Sequence, residues 1–187
     1  MRDVVLYSLL SLDGVAEEPG DWLFESDSDL FANLADVIRS QDDILLGRGT
    51  YDYWAEYWPT SDVQPFADFV NGTTKHVFTS STPSAAWSRT TIVQERLVPY
   101  VEGLKAGTGG DIGVHGSIRL AQSLLAEDLV DRLELVLAPS LAGSGRRLFA
   151  DDVDVRRLTL TKATRSATGC VFLGYRCETG RRPTQDD

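Results

Sequence analysis

The chain has 187 residues, 42% of which are apolar, and its formal net charge is −10. This is enough apolar sequence for one globular domain with a buried core. No long cluster of lysines or arginines accompanies the negative charge, which disfavours nucleic acids and anionic membranes as partners, because both require a basic surface.

The first half of the chain predicts strands that alternate with helices. A buried first strand begins at Val4 and ends in the turn at residues 11–14, and a loop rich in Glu, Gly and Pro follows. Helical spacing of apolar residues begins near Ser26 or Asp27 and continues to Ile38. The next predicted elements, in chain order, are a strand, a helix, a short helix and a strand, at residues 43–47, 50–58, 65–70 and 76–79.

The second half continues this pattern and then changes character. Its predicted elements are a strand, a helix, a strand, a helix and a strand, at residues 91–93, 97–105, 112–114, 117–126 and 133–138. Residues 157–164 and 169–177 indicate an antiparallel hairpin. We therefore expect one α/β domain over residues 1–178, with a mostly parallel sheet covered on both faces by helices, and a disordered polar tail over residues 179–187.

Three strand ends carry residues that suit a phosphate. The apolar run at residues 44–46 ends in Gly47 and Arg48, with Thr50 shortly after, and the later strands end in 79–81 and 115–117, where small, hydroxyl and basic residues are frequent. Free backbone N–H groups at a helix N-terminus can hold a phosphate, and the carboxyl ends of parallel strands meet at one edge of a sheet. Together the three strand ends predict a dinucleotide site.

The order of these motifs resembles the dihydrofolate reductase fold. The closest resemblance is to the reductase family described as RibD C-terminal domain-like, and it covers the chain from Val4 to about Cys177. It is carried by the turn at 11–14 and by four later segments: 47–51, 79–81, 114–117 and 129–149. The resemblance implies a three-layer α/β sandwich with a C-terminal antiparallel hairpin, an NADPH-dependent reductase activity and a homodimer.

The same resemblance implies a role for each cofactor-binding residue. Arg48, Ser80 and Ser81 would hold the adenosine 2′-phosphate, and Thr50, three residues after Gly47, would face the pyrophosphate. The segment formed by His115, Gly116 and Ser117 would lie against the pyrophosphate and the nicotinamide ribose. A guanidinium with hydroxyl groups suits a phosphate dianion. No acidic residue stands where an NAD-specific site would bind the ribose 2′-hydroxyl, so NADP is favoured over NAD.

His115 departs from the consecutive glycines that folate reductases usually carry at this place. Its imidazole would either donate a hydrogen bond to a phosphate or pack away from the cofactor.

Candidates for the reaction itself are fewer. Asp29, with Asp27 as a second choice, falls near the carboxylate that contacts the pterin in folate reductases, although acidic residues are also common in the first turn of a helix. Asp13 follows the first strand and would lie near the substrate or would only form a turn. Trp22 and Phe24 lie on the loop that covers the nicotinamide in folate reductases, so they are predicted to contact the substrate or to form a small apolar cluster.

The proton donor is the weakest part of this interpretation, which leaves two alternatives open. One is an NADP(H)-binding module without turnover, and the other is a dihydrofolate reductase proper. The second is disfavoured because Lys75 stands near the place of the arginine that binds the folate carboxylate. The two histidines and two cysteines are scattered, so no metal site is predicted. The absence of a signal stretch and of a disulfide pattern indicates a cytoplasmic protein.

Overall fold

The computed structural model describes residues 1–151 and 155–178. These residues form one eight-stranded sheet with five α-helices. The strands are β1 Val4–Leu10, β2 Gln41–Gly47, β3 Thr74–Phe78, β4 Thr90–Val93, β5 Asp111–Val114, β6 Arg132–Leu137, β7 Leu158–Arg165 and β8 Val171–Cys177. The helices are α1 Ser28–Ile38, α2 Arg48–Tyr57, α3 Phe66–Gly72, α4 Leu97–Ala106 and α5 Ile118–Ala126. The predicted tail, residues 179–187, lies outside the described residues.

The sheet has the order β4-β3-β2-β5-β1-β6-β8-β7. Its first six strands are parallel, and β8 and β7 are antiparallel to their neighbours. The mostly parallel sheet and the C-terminal antiparallel hairpin are therefore confirmed. The predicted boundaries differ from the observed ones by a few residues, as is usual where helix and strand ends fray.

The two faces of the sheet carry different helices. On one face, Leu6, Leu45 and Val114 pack with α4 and α5. On the other face, Val5 and Tyr7 pack with α1, and Ile44, Leu46 and Val77 pack with α2 and α3. Because the strands in the middle of the sheet are covered on both faces, β1 is apolar except for Ser8 and shows no alternation of apolar and polar residues.

The two cysteines illustrate this two-sided burial. Cys170 belongs to the cluster under α1, whereas Cys177 packs against the cluster on the α4 and α5 face, and both are free thiols. Side chains alternate between the two faces along an extended strand, so the odd separation of seven residues agrees with these contacts.

The edge strand β7 is exposed along almost its whole length, including Leu158 and Leu160. Exposed edge strands are places where a second chain can pair. The homodimer implied by the resemblance nevertheless stays a prediction. None of the described helices is long and apolar enough to cross a bilayer.

A cleft between two helix N-termini

A cleft of about 1020 Å³ opens at the carboxyl ends of β1, β2 and β5. Six of the eight residues predicted to bind the cofactor line it: Gly47, Arg48, Thr50, His115, Gly116 and Ser117. The parallel strands place these residues together because β2 and β5 are hydrogen-bonded neighbours that end at the same edge.

Two helices begin at this cleft, α2 after β2 and α5 after β5. Gly47, the N-cap of α2, has no side chain, and the hydroxyl of Ser117, the N-cap of α5, accepts no hydrogen bond from the helix that it precedes. The first-turn N–H groups of both helices therefore have no side-chain cap, and the positive ends of the two helix dipoles meet at one cavity. This arrangement suits a ligand with two linked phosphates.

The two helix starts are held together by one contact. The Ser117 hydroxyl accepts a hydrogen bond from the Gly47 N–H at 2.7 Å. A Cβ on Gly47 would lie 2.9 Å from that hydroxyl oxygen, so only glycine permits the approach. Ser117 adopts a left-handed conformation with φ of 67°, a strained backbone that is frequent at functional sites.

Arg48 carries the positive charge at the rim of the cleft. Its Nε donates to Asp52, and its Nη1 donates to the Ser81 hydroxyl. Burial tends to raise the pKa of Asp52, but the hydrogen bonds from Ser84 and Arg48 outweigh it, so the pKa is lowered and the carboxylate stays charged. Asp52 thus orients Arg48 through one edge of the guanidinium. Ser81 extends the site beyond the cleft, and its neighbour Ser80 is exposed beside it.

The other end of the cleft is apolar. Side chains from β1, α1, α2 and α3 form its walls: Tyr7, Leu30, Phe31, Leu34, Trp54, Trp58 and Phe66. The charged side chains that line the cleft are Glu17, Glu18, Arg48, Arg119 and Arg146, and Glu17 is paired with Arg146 at 2.6 Å. The cleft therefore combines a rim rich in N–H groups and cations with an aromatic pocket for a flat ring.

Comparisons with known proteins decide the family. Residues 2–172 match the RibD C-terminal domain. The chain belongs to the RibD C-terminal domain family. It is 32% identical to the uncharacterized protein YwjB of Bacillus subtilis over 177 residues, which cover 93% of this chain and 97% of that protein. Membership of the RibD C-terminal domain family supports a reductase of the riboflavin-pathway type.

Solved structures of low sequence identity share the fold of this RibD C-terminal domain. One is a putative riboflavin biosynthesis protein from Shewanella sp. PV-4, with a TM-score of 0.76, 19% identity, and coverage of 94% of this chain and 99% of that one. Another is a pyrimidine reductase-like protein from Corynebacterium diphtheriae, with a TM-score of 0.68, 16% identity, and coverage of 96% and 93%.

The two predicted catalytic carboxylates do not line the cleft. Asp29 accepts a hydrogen bond from the Ala167 N–H at 3.0 Å, so it joins the start of α1 to the β7–β8 turn. Asp13 accepts from the N–H groups of Ala142 and Gly143 at 3.0 and 2.9 Å and from the Ser11 hydroxyl. These contacts correspond to the alternative interpretations, a first-turn charge for Asp29 and a turn for Asp13.

The predicted substrate residues Trp22 and Phe24 also lie outside the cleft. Trp22 is buried and donates from Nε1 to the Glu17 carbonyl at 2.8 Å, whereas Phe24 is 83% exposed. Both line a separate cavity of about 190 Å³. Leu23, between them, lines the cleft, so this loop meets the cleft through Leu23 and not through the two predicted side chains.

His115 lines the cleft but has no proton for a phosphate. Its Nε2 lies 2.6 Å from Gln41 Oε1, and burial lowers the pKa of the imidazole to about 3. A neutral ring whose one N–H is already used has no donor left. The geometry therefore gives no support to the predicted phosphate contact, although the residue stays at the cleft.

Sequence reasoning missed most of the aromatic wall. The aromatic run at residues 51–58 is typical of a core or an interface, yet Trp54 and Trp58 both line the cleft, while Tyr51 in the same helix is buried in the core. Their i,i+4 spacing was the available signal, since it places the two side chains on one helix face. Among the described residues, no group of three or more His, Cys, Asp or Glu side chains is arranged to hold a metal ion.

Asp13 and Asp27 accept hydrogen bonds from other loops, and their lowered pKa values make the stability of the fold depend on pH. The Ser11 hydroxyl lowers the pKa of Asp13, and the Leu30 N–H lowers that of Asp27, in each case from 3.8 to about 2. Because the folded-state pKa lies below the unfolded value, the stabilisation is present above pH 3.8 and is lost as the pH falls towards 2.

We expect Asp27→Asn to lose less stability between about pH 5 and about pH 2.5 than the unmodified chain, because asparagine does not titrate. Urea unfolding at the two pH values measures the difference. Asp21→Asn is the control, since Asp21 lies in the same loop region and has no shared contact with the hairpin turn. Parallel losses in the chain and in Asp27→Asn would contradict the assignment.

Proposed function

We propose that the chain is an NADPH-dependent reductase that transfers a hydride to a small heterocyclic or carbonyl substrate. The single observation that carries the proposal is the meeting of two uncapped helix N-termini at one cleft whose rim holds Arg48. Phosphate groups are the ligands that such helix ends bind most readily. The apolar end of the same cleft has room for the ring that reacts.

The residues present fit NADP(H) in three places. The first turns of α2 and α5 would bind the pyrophosphate, and the space over Gly49, where a Cβ would meet nothing within 4 Å, leaves the backbone of α2 open to it. Arg48 and Ser81 would bind the 2′-phosphate, with Asp52 fixing the guanidinium. The aromatic pocket would take the nicotinamide and the substrate side by side.

The protein contributes mainly positioning in this proposal. When bound, the reduced nicotinamide supplies the hydride. Leu30, Phe31 and Leu34 of α1 would confine the substrate ring and exclude water around it. Among the described residues, the two carboxylates that line the cleft are Glu17, paired with Arg146, and the exposed Glu18, so the proton that completes the reduction would come from solvent.

Asp29→Asn tests whether a carboxylate on α1 takes part in the reaction. The asparagine side-chain oxygen can still accept from the Ala167 N–H, and Asp29 lies outside the cleft, so we expect an unchanged turnover number and an unchanged KM. Steady-state NADPH oxidation measures both constants. A fall of tenfold or more in turnover, with an unchanged melting temperature, would restore Asp29 as the proton donor.

One observation favours a second candidate function, an NADP(H)-binding module without turnover. In the described part of the chain, the acidic side chains that line the cleft are Glu17, which is paired with Arg146, and Glu18, which is exposed, so neither is an obvious proton donor. A dihydrofolate reductase proper is less well supported. Lys75 is fully buried, and its Nζ donates to the carbonyl oxygens of Val70 and Thr73, so it does not face the cleft.

NADPH oxidation separates these candidates. Purified protein is incubated with NADPH and a panel of pyrimidines, pterins including dihydrofolate, and small aldehydes and ketones, and absorbance follows cofactor consumption. The proposal predicts saturable oxidation with at least one member of the panel. Saturable NADPH binding with no oxidation by any member would favour the binding module, and rapid oxidation by dihydrofolate alone would favour the folate reductase.

A further inference from the structure

One phenol lies in the wall of the apolar end of the cleft. Tyr7 is on β1 and belongs to the apolar cluster under α1, together with Leu30 and Leu34. All three side chains line the cleft. Tyr7 therefore lies on the α1 side of the cleft, where the substrate ring is proposed to bind.

The small accessible surface of Tyr7 faces this cleft. The residue is 7% exposed, because β5 and β6 flank β1 and helices cover both faces of the sheet. Tyr7 lines the large cleft, and it does not line the smaller cavity of about 190 Å³. What remains exposed of the side chain is therefore open to a ligand in the large cleft.

The Tyr7 hydroxyl has no hydrogen-bond partner among the residues that the structure describes. It is also not one of the unpartnered polar atoms that are sealed inside the protein, such as Trp58 Nε1 and His115 Nδ1. An unpartnered hydroxyl that is not sealed keeps part of its own surface accessible. Because the accessible surface of Tyr7 faces the cleft, a ligand there can reach this oxygen.

The neighbouring imidazole is closed to a ligand. The rings of His115 and Tyr7 have centroids 5.7 Å apart, but His115 Nε2 lies 2.6 Å from Gln41 Oε1, and its Nδ1 is enclosed. An ideal Cβ on Gly113 would lie 2.1 Å from Gln41 Oε1, so glycine permits this contact. Of these two adjacent rings, the phenol is the one that offers a polar atom to the cleft.

The phenol stays protonated at neutral pH. Burial raises the pKa of Tyr7, and Cys170 and Glu134 raise it further, with Glu134 opposite Tyr7 on β6. A protonated phenol can donate one hydrogen bond, whereas loss of its proton would leave a charge in an apolar site. Tyr7 is therefore suited to donate a hydrogen bond and not to release its proton, so solvent remains the proton source.

We propose that the Tyr7 hydroxyl donates a hydrogen bond to the substrate ring, at the carbonyl oxygen or imine nitrogen next to the carbon that receives the hydride. This inference rests on the proposed function, because it names the substrate class of the same cleft. The class is an uncharged planar ring with such an acceptor. The acceptor atom gains negative charge as the hydride arrives, so a donor fixed beside it stabilises the transition state more than the ground state.

The hydroxyl contributes nothing to the stability of the empty protein. A largely buried hydroxyl without a partner loses hydration and gains no hydrogen bond in return. Phenylalanine at position 7 would fill the same space without this cost. The benefit of the hydroxyl therefore arises when a ligand supplies the acceptor, and we expect Tyr7→Phe to melt at the same temperature as the unmodified chain or higher.

Binding of two flat probes to the NADP⁺-saturated protein tests the proposal. Isatin carries carbonyl groups, and indole has nearly the same ring and none. We expect Tyr7→Phe to weaken isatin binding by about five- to tenfold and indole binding by less than about twofold in calorimetric titrations. Tyr175→Phe is the matched control and should change neither, because Tyr175 is half-buried on the α4 and α5 face and does not line the cleft.

Infrared spectroscopy of bound isatin gives an independent readout of the hydrogen bond. Isotope labels at its carbonyl carbons separate the isatin bands from those of the protein. A donated hydrogen bond weakens a C=O bond, so we expect one carbonyl band at lower wavenumber in the unmodified chain than in Tyr7→Phe. A role of the phenol in packing alone would leave this band in the same place.

The inference is overturned by equal isatin affinity in the two chains, by equal losses for isatin and indole, or by an unmoved carbonyl band. Absence of saturable isatin binding would also overturn it, as would weaker NADP⁺ binding in Tyr7→Phe, which would assign the hydroxyl to the cofactor. A fluorescence titration with NADPH separates the two proposals. Saturable NADPH binding with an isatin complex that does not depend on the hydroxyl refutes only the role of Tyr7, whereas no NADPH binding refutes the proposed function.

Discussion

Arg48→Ala is expected to weaken NADPH binding by about 10- to 100-fold while changing NADH binding by less than about threefold. Charge-assisted hydrogen bonds contribute about 1.5–3 kcal/mol, and only NADPH carries the 2′-phosphate that would receive them. Helix α2 should remain folded, because a cation in the first turn opposes the helix dipole and the half-exposed Arg48–Asp52 ion pair stabilises little.

Fluorescence titration with the two cofactors measures this difference. Arg39→Ala is the matched control, since Arg39 is 75% exposed, forms a comparable ion pair with Asp36 and does not line the cleft. Equal losses for NADPH and NADH in Arg48→Ala would contradict the 2′-phosphate assignment, and so would a loss in Arg39→Ala.

Gly49→Asp is expected to weaken binding of both cofactors by about 30-fold or more without destabilising the protein. The new carboxylate would lie in the first turn of α2, where there is open space and where a negative charge stabilises the helix. A pyrophosphate bound at the same helix end would be repelled, and like charges about 6 Å apart cost about 2–3 kcal/mol at an effective dielectric of about 20.

Gly49→Asn is the matched control for this substitution, because it adds nearly the same volume and no charge. We expect it to bind both cofactors within about threefold of the unmodified chain, whereas a Gly49→Asp chain should melt at the same temperature or higher. Unchanged cofactor affinity in Gly49→Asp would remove the α2 N-terminus from the binding site. A lower melting temperature would show instead that the effect is on folding.

The parts of the site that depend on local sequence were predictable. Gly47 and Ser117 each follow a short apolar strand and precede a helix, and this pattern alone places them at one edge of a parallel sheet. The fold followed from the same alternation of strands and helices. This part of the prediction needed only local sequence. Where a strand leads directly into a helix, the free N–H groups of the first helical turn lie at the end of that strand.

The direction of side chains outside regular elements was not predictable. Trp22, Leu23 and Phe24 lie in an irregular loop, where no period tells which of three apolar side chains turns towards the cleft. Asp29 is in the first turn of α1, and its distance from the cleft depends on how that helix is rotated against the sheet. This rotation is set by packing with distant strands.

The hydrogen-bond setting of His115 could not be predicted for a different reason. Its tautomer depends on Gln41 and on the missing side chain of Gly113, and the first of these is 74 positions away in the chain. The position of Tyr7 at the cleft could not be predicted either. A strand buried on both faces has no alternation of apolar and polar residues that would mark the side facing the cleft. Both residues become visible only when the strands are placed side by side.

Calorimetric titration of the unmodified chain with NADPH, and with NADH under the same conditions, tests the central claim most directly. The account predicts saturable binding at one site per chain, with NADPH bound at least about tenfold more tightly than NADH because of the 2′-phosphate. No heat and no saturation with either cofactor would contradict the proposal that the two helix N-termini and Arg48 form a dinucleotide site.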